Sequence, residues 1–127
     1  MTEIQNSKKY DLEERTYKFA KQCRGFVKKL PRTIANIEDG KQLVRSSGST
    51  AANYIEANEA LSRKDFIFRI KICRKEAKES RLWLRLSDIG NNQNIEIERK
   101  ELIQEATELM KIFGSIVEND KKKKNEK

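Results

Sequence analysis

Glu76 and Glu79 lie three residues apart in an otherwise basic, helix-patterned segment. That spacing puts both on one side of a helix, and paired carboxylates can exchange protons or hold a divalent cation. With Glu56 they would supply the acidic set of a metal-dependent nuclease. Arg69, Lys75, Lys78 and Arg81 stand nearby at helical spacing, so the plainer expectation is structural ion pairing, with no catalytic residue and no metal. A second set, Gln42, Arg45, Ser49, Asn53 and Glu56, steps by three, four, four and three and therefore shares one helix face. It reads either as a wet face or as a hydrogen-bonded row. A solvated face ordinarily uses Lys and Glu, whereas Ser and amide side chains suit close packing with satisfied hydrogen bonds. In the second case Arg45 and Glu56 anchor the two ends, and a buried Glu56 needs a cationic partner. The third set is basic: Lys18, Lys21, Arg24, Lys28, Lys29 and Arg32, joined by Arg74 and Lys78. Such residues attract nucleic-acid phosphates by counterion release. No base-reading motif accompanies them, so contact with the backbone is expected.

Composition narrows the chemistry. The chain has 127 residues, 28 basic and 20 acidic, a formal net charge of +8 and no histidine. The missing His removes imidazole acid/base catalysis, Ser-His-Asp and Cys-His nucleophiles, and His-containing zinc sites. Five Gly and one Pro leave too few turns for a sandwich or barrel, which needs one every ~8–12 residues. Cys23 and Cys73 each sit in an apolar periodic run; buried free thiols are the plain reading and a single disulfide the other. No stretch approaches the ~20 apolar residues of a membrane span. Residues 1–7 lack the apolar centre of a signal peptide. The expectation is a basic, cytoplasmic, all-helical protein without enzymatic activity, cofactor or membrane contact.

Four helices must carry these residues. Asp11 with Glu14 reads as a helix start, after a flexible segment 1–10. Leu12, Thr16, Phe19, Ala20, Cys23, Phe26, Val27 and Leu30 then mark one face up to Pro31. Helix two runs over about 33–60, with Ile34, Ile37, Val44, Ala51 and Ile55 as its apolar stripe and a bend or close approach near Gly48. Ser62 and Asp65 start helix three, about 63–89, whose seam is Phe66, Ile70, Cys73, Ala77, Ser80 and Leu84. After the Gly90–Asn94 loop, helix four covers about 96–118 and buries Leu102, Ile103, Ala106, Leu109, Met110, Phe113, Ile116 and Val117. Residues 120–127 read as a disordered Lys-rich tail. Short connections make neighbours antiparallel, so 11–119 is expected to form one up-down-up-down four-helix bundle.

The charge is uneven along this plan. Residues 1–32 carry +5, residues 33–119 sum to zero and residues 120–127 carry +3. Within the neutral middle, residues 63–85 hold nine basic and three acidic side chains, including Arg63, Lys64, Lys71 and Arg85. Residues 96–118 hold three against six, and residues 33–60 two against four. Basic helices one and three could pair with acidic helices two and four, within a chain or between copies, at less than ~1 kcal/mol per exposed pair. Alternatively their exposed cations form a surface for nucleic acid, or for an acidic protein.

Several segments together resemble the four helix bundle protein family, also called the 23S rRNA intervening-sequence protein family. They are Asp11–Thr16, Phe19-Ala20, Leu30–Thr33, Gln42–Ala57, Ser62–Ile67 and Lys75–Leu84. The resemblance spans about 11–117. It implies an up-and-down bundle assembling as a homo-oligomer, typically a ring of five. Members are encoded within intervening sequences of bacterial 23S rRNA genes or stand alone. A fold relative, the accessory variability protein of diversity-generating retroelements, forms a basic pentameric barrel that binds nucleic acid and a reverse transcriptase. The family has no established catalytic residues. Its signature positions map onto Gln42, Arg45, Ser49, Asn53 and Glu56, which favours an interior or intersubunit role for that stripe. Many relatives have Gly where this chain has Ala57. Two functions follow as expectations: an oligomer contacting rRNA or other nucleic acid through helices one and three, or a structural, protein-binding oligomer with no nucleic-acid role.

Overall fold

The computed structural model describes residues 2–125, with side chains from Leu12 onward. Four helices follow in order: α1 (Thr2–Lys29), α2 (Ile34–Asn58), α3 (Arg63–Leu86) and α4 (Gln93–Asn125). Their ends have local causes. Pro31 follows the end of α1. Thr33 caps α2, its hydroxyl accepting from the Asn36 amide at 3.1 Å. Ser62 caps α3 in the same way, accepting from the Asp65 amide at 3.1 Å. Each cap satisfies an amide that the helix itself leaves orphaned. Gly90 and Asn91 adopt positive φ of 59° and 67°. A Cβ on Gly90 would lie 2.9 Å from Pro31 Cγ, so this turn is held against the α1–α2 turn. Buried Asn36 locks the two together: its amide donates to the carbonyls of Pro31 (2.9 Å) and Asp88 (2.8 Å) and accepts from the Asp88 amide (3.0 Å).

Each helix packs its backbone on its two neighbours in cyclic order; the diagonal pairs α1/α3 and α2/α4 make no close backbone approach, although the Tyr54 and Phe113 rings meet across α2/α4 with centroids 6.1 Å apart. Cross-helix contacts run antiparallel throughout: Val27 faces Gly40 while Arg24 faces Gly48, and Arg63 meets Asp120 while Arg81 meets Thr107. This is the expected up-down-up-down bundle. Its core contains Phe19, Cys23, Phe26, Ile70, Cys73, Ala77, Leu84, Leu109 and Phe113. The faces expected for α1, α3 and α4 are the ones that turn inward. Both cysteines are free and buried, and burial pushes each thiol up to about 12, which leaves them unreactive.

Helix α2 corrects its expectation. Ile34 (84% exposed), Ile37 and Ile55 face outward, and Val44 and Ala51 are only half-buried. The face turned to the core is Asn36, Gly40, Leu43, Ser46, Ser47, Thr50, Tyr54 and Ala57. Small residues win because the helices approach closely there: a Cβ on Gly40 would meet Val27 Cγ1 at 2.9 Å. The buried hydroxyls find partners, Thr50 on the Ser46 carbonyl at 2.9 Å and Ser46 with Ser80 at 2.7 Å across the α2–α3 contact, so their burial costs little. Gly48 does mark a close approach, with Arg24 Nη2 3.0 Å from its would-be Cβ.

Two boundaries also move. The backbone of residues 2–10, expected to be flexible, continues α1, and Asp11 lies inside the helix rather than capping it. At the other end α4 runs on to Asn125, beyond the expected stop at 118 and through most of the segment expected to be disordered. Asp120 is buried and held by Arg63 at 2.8 Å, and Lys122–Lys124 suit the negative end of the helix dipole. Residues 126 and 127 of that segment lie outside the described residues.

Candidate functional site

The polar stripe of α2 is built into the α2–α3 seam. Arg45 reaches across with a two-pronged contact to Glu76, 3.3 Å from each guanidinium nitrogen to a carboxylate oxygen, and donates to Glu79 at 2.9 Å. Its Nε lies 3.3 Å from Gln42 Oε1. Ser49 donates to Glu76 at 3.3 Å, Asn53 donates to Ser49 Oγ at 3.1 Å, and Arg69 of α3 donates to Asn53 Oδ1 at 2.9 Å. One row therefore runs Gln42, Arg45, Glu76, Ser49, Asn53, Arg69, with Glu79 on its rim. Glu76 is the buried member, its side chain only 10% exposed. The carboxylate of Glu76 in turn raises the guanidinium of Arg45 above its usual range.

This arrangement corrects two expectations. Glu56 is exposed and outside the row; its end is closed by Arg69 on Asn53. The partner of Glu76 and Glu79 is Arg45 on the neighbouring helix, not the lysines and arginines of α3 itself. Both carboxylates serve one guanidinium. Among the described residues no three His, Cys, Asp or Glu side chains are grouped to hold a metal ion.

The basic residues divide between the two diagonal helices. On α1, Lys29 pairs with Glu98 of α4 at 2.8 Å. Arg15 pairs with Glu105 and Glu108 of the same helix at 2.6 and 3.2 Å. Arg24 donates to the Ala20 carbonyl at 3.1 Å and lies along Gly48. Lys21 sits over the Tyr17 ring, 5.8 Å from its centroid. Lys28 and Arg32 border an open groove of about 480 Å³ between α1 and α2, with apolar walls that include Val27, Pro31, Ile37 and Val44. Lys18 is exposed.

On α3 the picture differs. Lys64, Lys71, Arg74, Lys75, Lys78 and Arg85 are all exposed. Arg63 pairs with Asp120, Arg69 binds Asn53 and Arg81 lies 3.4 Å from Thr107 Oγ1. Arg74 and Lys78 were legible from sequence as candidates. Lys64, Lys71 and Arg85 were counted with the basic residues of that helix but not singled out, although Lys64, Lys71, Lys78 and Arg85 follow one another at intervals of seven. The α1 and α3 candidates do not form one continuous surface within a chain, because their helices are diagonal.

No described helix is long and apolar enough to cross a membrane. No curated protein matches the chain. A crystal structure of a protein with unknown function from the S23 ribosomal protein family, from Bacteroides thetaiotaomicron VPI-5482, is 30% identical. The match covers 84% of this chain and 97% of that one, with a TM-score of 0.70. The family profile described as 23S rRNA-intervening sequence protein matches residues 8–115, nearly the whole four-helix unit including the Arg45–Glu76 row and the α3 cations. The chain therefore belongs to the 23S rRNA-intervening sequence protein family.

Proposed function

We propose that this protein is a non-enzymatic, cytoplasmic homo-oligomer, a ring of five copies, that contacts the phosphate backbone of RNA or DNA through its basic helices. The observation that carries the reading is the set of exposed cations on α3, Lys64, Lys71, Arg74, Lys75, Lys78 and Arg85, that have no carboxylate partner among the described residues. Unpartnered cations retain their counterions until a polyanion displaces them, and that release drives backbone binding. The committed state of Glu76 and Glu79 supports a binding role over hydrolysis. Assembly is supported by the outward apolar stripe of α2, with Ile34, Ile37 and Ile55 exposed by 84%, 39% and 49%. The ring of five rests on the family resemblance alone. The same stripe supports the second reading, an interaction oligomer without nucleic acid.

An electrophoretic shift with rRNA stem fragments across a salt series tests the first reading. Binding that weakens steeply with salt is expected; absence of a shift at low ionic strength favours the second. Light scattering should give five times the 14.9 kDa of one chain, and a stable monomer at micromolar concentration would sink the ring.

A further inference from the structure

We infer that the outer edge of α3 is a docking surface for a nucleic-acid double helix, held by its phosphate rails. This deepens the backbone-binding reading and rests on it. Lys64, Lys71, Lys78 and Arg85 recur every seven residues, so they form one line along a straight helix, drifting only ~20° per step. At 1.5 Å per residue the line is about 31 Å long with a cation every ~10 Å. Arg74 stands beside it, lying along α4 at Gly114. Among the described residues none of these five makes an ion pair or hydrogen bond. The central carboxylates of α3, Glu76 and Glu79, point to Arg45, and Glu98, Glu105 and Glu108 of α4 point to α1.

Rigidity selects the duplex. A fixed 31 Å line matches a stiff rod that presents one charge per ~1.7 Å of axis, and it covers nearly one helical turn of ~34 Å. Single strands are held by aromatic rings on which bases stack. Here Phe66 and Phe68 carry Arg63 and Arg69 at 5.2 and 5.9 Å from their ring centroids, and Tyr17 on α1 carries Lys21. Each of these rings carries a cation of the protein on one face, which leaves a stacking base at most the other.

The test compares two charge-reversed full-length chains. One carries Lys64→Glu, Lys71→Glu, Lys78→Glu and Arg85→Glu; the other carries Lys18→Glu, Lys21→Glu, Lys28→Glu and Arg32→Glu. Each is titrated at 50 mM salt with a 20-base-pair RNA duplex, a DNA duplex of the same length and a matching single strand. Circular dichroism checks that helix content is retained. The α3 variant should lose duplex affinity on the order of 100-fold, while the α1 variant loses much less and the wild type prefers either duplex to the single strand. The milder pair Lys71→Gln and Lys78→Gln should reduce the slope of log affinity against log salt by about 2. A wild type that binds but loses binding chiefly through α1, or prefers the single strand, overturns this inference and leaves backbone binding standing. A wild type that binds no nucleic acid at 50 mM salt overturns both.

Discussion

Helices α1 and α3 are the two basic elements of the bundle, and their surroundings treat that charge in opposite ways. Beside α1 runs the acidic face of α4, and Glu98, Glu105 and Glu108 reach Lys29 and Arg15. The outer edge of α3 meets no such face: its own two central carboxylates are turned to Arg45 on α2. Net charge read along a segment therefore understates the cations available on α3. What decides availability is which way the neighbouring acids point, and that is set by the cyclic order of helices.

The comparison depends most on Arg45. Replacing it with Ala leaves Glu76 buried with only the Ser49 hydroxyl as a side-chain donor, which costs about 1–3 kcal/mol. The urea midpoint should fall accordingly with an unchanged m-value. The same substitution frees Glu79, which lies one turn from Lys75 and beside Lys78, so nucleic-acid affinity should fall as well. Adding Glu79→Gln should restore affinity but not stability. If Arg45→Ala is neutral in urea, the row is a solvated face and the contrast between the helices loses its cause.

A smaller effect sharpens the contrast directly. Arg15 and Glu105 are each about one quarter exposed, so Arg15→Ala should cost roughly 1 kcal/mol, the upper end for such pairs. Much of that difference should vanish in 1 M salt, where the screening length is ~3 Å. Lys78→Ala, on the unpaired edge, should change stability by less than ~0.5 kcal/mol. Equal losses at both positions would mean that the α3 cations also have structural partners.

Helices α1, α3 and α4 were legible because their apolar residues recur at helical steps and those same residues enter the core. Helix α2 reads inside out. Its isoleucines lie outward while Gly40, Ser46, Ser47 and Thr50 pack inward, and hydropathy ranks small hydroxyl residues as surface. Only the close helix approach, satisfied by carbonyls one turn back, makes them core. The polar row was legible at Gln42, Arg45, Ser49 and Asn53 from spacing alone. Its partner helix was not, because spacing says which residues share a face and nothing about what crosses to it. Glu56 satisfied the spacing and missed the row for that reason: Arg69 reaches Asn53, and no contact extends to Glu56. The tail is a different case, because α4 continues through it to Asn125. Its composition is that of a solvated chain, and the side chain anchored where it begins is Asp120, held by Arg63.

Asp120 also gives the smallest and most selective test. It joins α4 to Arg63, among the described residues the one cation of α3 with an ion-pair partner on α4. The Arg63 guanidinium holds its carboxyl below the ordinary value of 3.8, and Lys124 adds to this. The folded chain thus binds that proton more weakly than the unfolded chain. The resulting stability is present above the ordinary value and is lost as pH falls through the lower folded one. Thermal midpoints recorded from pH 5 down to pH 2 should therefore decline, with contributions from Glu96 and Glu108, whose carboxyls are lowered by Arg99 and by Gln104 with Arg15. Arg63→Ala should flatten part of that decline, because Asp120 then titrates nearer its ordinary value. Lys71→Ala, on the unpaired edge, should leave the shape of the profile unchanged. A flattened profile for Lys71→Ala would reveal an acidic partner on the outer edge of α3 and erase the distinction between the two basic helices.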